Sequence, residues 1–136
     1  MKMINKGLVL VLILFSILSC NKEKTDLLVD GEYSGTFSRV MAENVSPISN
    51  IEIVFSKNSW NGSSDIIKYP GLCNGSYEIQ ADTIIFDNFC AWTAEFDWSL
   101  ILSGKYLYKK TGNSIEFSRE ALSGIYIDRY ILVKKE

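Results

Sequence analysis

Histidine is absent from the 136-residue chain, cysteine occurs three times and proline twice. Without imidazole the commonest general base and metal ligand is gone, so any nucleophile would depend on lysine or a carboxylate for activation. No Gly-x-Ser-x-Gly, Cys-x-x-Cys or glycine-rich phosphate loop is present, and no Ser-x-x-Lys occurs after residue 20. The expectation is a protein that is not an enzyme and needs neither metal nor cofactor. A basic excess is missing too: 14 Lys and Arg face 16 Asp and Glu. This argues against nucleic acid as a partner. An uninterrupted membrane-spanning run, which takes about 20 apolar residues, is also lacking.

What the chain does have at its start is Lys2 and Lys6, an apolar block from Leu8 to Phe15 continued by Ile17 and Leu18, and then Ser19-Cys20 followed at once by Lys22, Glu23 and Lys24. Basic flank, short apolar core and small residue form the layout of a secretory signal peptide. Ile17-Leu18-Ser19-Cys20 resembles the lipobox of bacterial lipoproteins. That resemblance implies that residues 1–19 are removed, that Cys20 carries the lipid, that residues 20–30 form a tether, and that the bilayer is a partner through the acylated cysteine. It places the protein at the outer membrane, on the periplasmic or the cell-surface face. Loss of Lys2 and Lys6, with no acidic residue, shifts the net charge from −2 to −4 and leaves 117 of the 136 residues. A chain of that size supports one core, expected over residues 31–136.

With Cys20 assigned to lipid, Cys73 and Cys90 remain. An exported domain favours their pairing as a disulfide, and closing so short a loop stabilises by about 3 kcal/mol.

From Gly31 onward apolar and polar residues alternate in short segments. Tyr33, Gly35 and Phe37 share one face of the first, and Ile51, Ile53 and Phe55 one face of the second, with Asn61-Gly62 as a turn signal. Tyr77 and Ile79 precede a tight turn at Ala81-Asp82, with Ile84 and Phe86 after it. The segment from Asp97 to Lys110 places Trp98, Leu100, Leu102, Gly104, Tyr106 and Tyr108 together, and Thr111-Gly112-Asn113 turns the chain into Ile115 and Phe117. Residues 124–135 are apolar on both faces, so their register stays open. Ala91 to Phe96 has room for one helical turn. Seven or eight short strands joined by tight turns predict an all-β antiparallel meander closed into a small barrel of about eight strands.

Gly31-Glu32-Tyr33-Ser34-Gly35, the Tyr77–Asn88 hairpin, the Leu102–Arg119 block and the closing aromatic strand resemble the lipocalin-like domains of small lipoproteins from Bacteroides-like bacteria, within the calycin group. The resemblance implies a lipocalin-like barrel that binds a small apolar or aromatic ligand. Tyr33 stands where lipocalins have tryptophan, and Arg129 is the counterpart of the arginine that covers it. The candidate ligand residues are Tyr33, Phe37, Phe55, Trp98, Tyr106 and Arg129, within a wider inward set that adds Tyr77, Phe86 and Phe117. The same aromatics could instead fill the barrel.

Two other constellations point elsewhere. Trp92, Glu95, Phe96, Asp97 and Trp98 pair aromatic faces with carboxylates, a chemistry suited to sugars. Ser103-Gly104-Lys105-Tyr106 is similar to a signature of membrane-bound inhibitors of C-type lysozyme, which push a loop serine and a lysine into the enzyme. Asp82-Thr83-Ile84 is similar to an O-glycosylation site of Bacteroides-like organisms. The alternatives to ligand binding are therefore a protein-interaction module, such as a lysozyme inhibitor, and a carbohydrate-binding accessory protein.

Overall fold

The computed structural model describes residues 27–42 and 44–136. The expected leader and Cys20 lie outside the described residues. Nine strands follow in order: β1 Gly31–Met41, β2 Asn44–Val45, β3 Ser49–Ser56, β4 Ser59–Ser64, β5 Asn74–Gln80, β6 Thr83–Asn88, β7 Gly104–Thr111, β8 Ser114–Ala121 and β9 Tyr126–Lys134. Consecutive strands from β3 to β9 pair antiparallel, β1 pairs with both β3 and β9, and the sheet closes into an eight-strand meander barrel with β2 as a spur on β1. Closure removes the free edges that an open sheet of this length would present.

The alternation sets the inside. Tyr33 and Phe37 on β1, Ile51, Ile53 and Phe55 on β3, Ile84 and Phe86 on β6, Tyr106 and Tyr108 on β7, and Ile115 and Phe117 on β8 are all buried. Gly35 keeps the same parity, but a Cβ there would lie 1.9 Å from the carbonyl oxygen of Ile131, so only glycine lets β1 and β9 approach this closely.

The two ends of the barrel differ. At one, Lys57-Asn58, Ala81-Asp82 and Gly112-Asn113 form two-residue hairpin loops, with positive φ at Lys57, Asn58, Ala81 and Gly112 as primed turns require. The chain enters at this hairpin end: Leu28 packs into the core, the Tyr33 hydroxyl donates to Val29 O at 2.7 Å, and Lys57 N donates to Asp30 Oδ2 at 3.1 Å. Packing therefore begins before Gly31, the expected boundary. At the other, loop end, long connections span residues 65–73 and 89–103, stapled by the Cys73–Cys90 disulfide.

Three expectations are corrected. Asn61-Gly62 lies inside β4, and the turn falls at Lys57-Asn58. Trp98 to Leu100 form a 3₁₀ turn capped by Asp97, whose carboxylate accepts from Ser99 N, so β7 begins only at Gly104. Residues 91–96 form turns without helix.

Candidate functional site

The inward aromatics meet one another. Tyr33 contacts Phe55 with ring centroids 5.5 Å apart, Phe55 contacts Tyr77 at 5.1 Å, Phe86 reaches Trp60 at 5.9 Å and Phe117 at 5.1 Å, and Phe117 stacks on Tyr130 at 4.6 Å. Phe37 closes the series against Tyr130 at 4.8 Å and Tyr69 at 5.0 Å. Edge-to-face contacts predominate, the geometry that ring quadrupoles favour. Tyr33, Phe37, Phe55 and Tyr106 thus belong to the packed aromatic core.

Trp98 and Arg129 are not part of it. Trp98 is 60% exposed on the loop end, its indole N–H donating to Thr93 O at 3.0 Å. Arg129 faces outward on β9 beside Glu116 at 3.4 Å and pairs in register with Ser38, so it does not cover Tyr33. The register that the sequence leaves open places Asp128, Tyr130 and Leu132 inside.

The arginines that do turn inward are Arg39 and Arg119. Arg39 is almost fully buried and holds Asp128 with a two-pronged contact, Nε to Oδ1 at 2.6 Å and Nη2 to Oδ2 at 2.8 Å. Its guanidinium lies 4.8 Å over the Tyr126 ring, and that of Arg119 lies 4.5 Å over Tyr106. Burial pushes the Arg39 pKa down, but the hydrogen bond and charge of Asp128 outweigh it and the net shift is upward. Burial raises Tyr106 and Tyr130 well above the ordinary tyrosine range. Parity was the available signal for all three charged residues. Arg39 continues the Tyr33–Gly35–Phe37 face, Arg119 follows Phe117, and Asp128 precedes Tyr130, each by two positions.

The outer surface of the loop end carries many apolar side chains. Met41, Ile48, Ile66, Ile67, Phe89, Trp98, Leu122 and Ile125 are all exposed there, Ile67 by 86% and Phe89 by 68%. Every connection at this end supplies at least one of them, whereas the hairpin loops opposite contain no apolar side chain larger than alanine. Trp92 stacks on Phe96 at 4.8 Å, its indole N–H donating to Asn88 Oδ1 at 3.1 Å, with Glu95 and Asp97 exposed beside them. Ser103, the last residue of the 89–103 connection, and Lys105 on β7 flank Gly104, and the Ser103 carbonyl accepts from Arg119 Nη1.

No protein-family model matches the chain, and no curated protein or solved structure matches it.

Proposed function

We propose that the chain is a lipid-anchored envelope lipoprotein whose lipocalin-like barrel acts as a protein-interaction module, docking its partner through the loop end. The observation that carries this reading is that eight of the fourteen large apolar side chains exposed among the described residues lie at the loop end. Contiguous exposed apolar surface on a soluble domain marks an interaction site, and aromatic residues such as Trp98 and Phe89 are the usual anchors of such sites. A chain fixed by Cys20 and seated through Leu28 at the hairpin end turns the loop end away from the bilayer, toward soluble or surface partners.

Metabolic labelling with a palmitate analogue tests the anchor, since Cys20→Ala abolishes incorporation. Docking is tested by the triple variant Ile67→Asp, Phe89→Asp, Trp98→Asp: a partner co-purified with the wild type is lost, and it is retained by Asn58→Asp at the opposite end. Equal recovery with both variants contradicts the reading.

A second reading is carbohydrate binding, favoured by the exposed indole of Trp98, fixed through Thr93 and next to Asp97. Saturable quenching of tryptophan fluorescence by a member of a glycan panel, lost in Trp98→Ala, supports it; flat titrations reject it.

A further inference from the structure

The outer wall of β7 and β8 carries a pattern of its own. Tyr106, Tyr108, Ile115 and Phe117 are buried, so the alternate residues point outward: Lys105, Leu107 and Lys109 on β7, and Glu116, Ser118 and Glu120 on β8. The register sets Leu107 beside Ser118 and Lys109 beside Glu116. Lys105 and Glu120 come next, but the ladder stops at Leu107–Ser118, and an open groove of about 590 Å³ lies over the parted strands, with Leu107, Ser118, Glu120 and Ile127 in its lining. Ser118 is small, and Leu107 beside it is 65% exposed.

In each charged row the cation stands on β7 and the acid on β8. Among the described residues Lys105, Lys109 and Glu120 form no ion pair, and Glu116 meets Arg129 at 3.4 Å with its side chain still 44% exposed. Four charges of both signs are thus turned to solvent around one exposed leucine. A partner surface of a single sign, acidic or basic, would set like charge against half of them, which costs specificity and affinity. The surface that matches all four is the same wall turned over.

We propose that this wall is the interface of a homodimer. A two-fold axis along the β7–β8 seam, parallel to the strands, lays β7 of one copy over β8 of the other at the same height. Lys105 then meets Glu120 of the second copy, Lys109 meets its Glu116, and Leu107 enters the groove over its Ser118, each contact occurring twice as an isologous interface requires. Exposed ion pairs contribute little each, so the two leucines provide the apolar contact while the charges fix the register and exclude other partners. The same axis leaves both hairpin ends on one side and both loop ends on the other. The pairing therefore does not rest on docking through the loop end, and two copies anchored in one bilayer can adopt it.

Sedimentation velocity of the full-length protein in detergent, over a concentration series, tests this. The wild type associates to a dimer. Lys105→Glu with Lys109→Glu sets acid against acid, and Glu116→Lys with Glu120→Lys sets base against base, so each variant alone associates at least ten-fold more weakly. Mixed in equal amounts, the two variants restore every charge pairing across the interface, and the mixture dimerises within about three-fold of the wild-type affinity. Recovery in the mixture also shows that both variants are folded. Leu107→Asp weakens the dimer at least ten-fold, whereas Ile67→Asp with Phe89→Asp and Trp98→Asp leaves it unchanged, which separates this wall from the loop end. A wild type that stays monomeric throughout the series overturns the inference, as do charge variants that dimerise like the wild type, a mixture that stays monomeric, or loss of the dimer in the loop-end variant.

Discussion

Arg39 and Asp128 form the most consequential side-chain pair. Both lie inside the barrel, and removing one partner of a buried ion pair typically costs about 3–5 kcal/mol because the other charge is left without compensation. Arg39→Met is therefore expected to lower unfolding free energy by about that amount in urea titrations. Arg39→Met with Asp128→Leu, which removes both charges, recovers most of the loss. Gly35→Ala brings a methyl group onto the Ile131 carbonyl and is expected to cost about 3 kcal/mol, the upper end for overpacking.

Tyrosine ionisation gives the pH dependence. Burial raises the pKa of Tyr106 and Tyr130 above the ordinary value of 10.0. The unfolded chain thus loses these protons at a lower pH than the folded one. Their stabilising share is fully present below about pH 10 and falls as pH rises from there toward the folded values. Denaturant midpoints measured between pH 8 and 11.5 should decline above pH 10, and in Tyr130→Phe the decline is shallower. At this scale the sequence was legible for the aromatic residues and misleading for charge. Arg39, Arg119 and Asp128 sit at inward parity, yet a charge is ordinarily assigned to the solvent side of a strand; it is their mutual compensation, spread over β1, β8 and β9, that permits burial. Trp98 and Arg129 failed for other reasons: the parity of Trp98 was counted across a capped turn, and Arg129 was assigned by resemblance in a strand whose register the apolar pattern left open.

At the scale of elements, strands and hairpins were readable because a period of two and a turn dipeptide are local signals. The Ala81-Asp82 and Gly112-Asn113 turns fall where the sequence places them. Lys57-Asn58 was overlooked because Asn61-Gly62, a stronger turn signal, lies inside β4, where the sheet rather than the dipeptide decides. The loop end has no such local logic. Its conformation depends on the Cys73–Cys90 staple, the Gly71–Ile101 bridge and the interior arginines. The disulfide spans 17 positions, and its removal by Cys73→Ser with Cys90→Ser is expected to lower stability by about 3 kcal/mol. Hydrogen exchange should rise first across residues 65–73 and 89–103 and leave the three hairpin loops unchanged; a uniform rise would show that the staple does not act locally.

As a whole the molecule is polarised. Short polar turns and the chain entry, with exposed Leu27 and Val29, occupy one end, and eight of the fourteen exposed large apolar side chains of the described residues lie at the other. Were Cys20 the anchor, the eight residue steps from it to Leu28 would span at most about 29 Å, holding the hairpin end near the headgroups. Energy transfer from a dye at Asn58 to a headgroup acceptor is then expected to exceed that from a dye at Ile67. The closed barrel was foreseeable from strand number and alternation, but the polarity was not, because it depends on which loops share an end and hence on the topology of closure.

Docking through the loop end is tested most directly by placing a photo-crosslinking amino acid at Ile67, Phe89 and Trp98, and at Asn58, Asp82 and Asn113, in cells that produce the protein. The account predicts one discrete adduct shared by the three loop-end positions and missing from the three hairpin positions. Adducts of the same mass and yield from both ends, or none from the loop end, would contradict it.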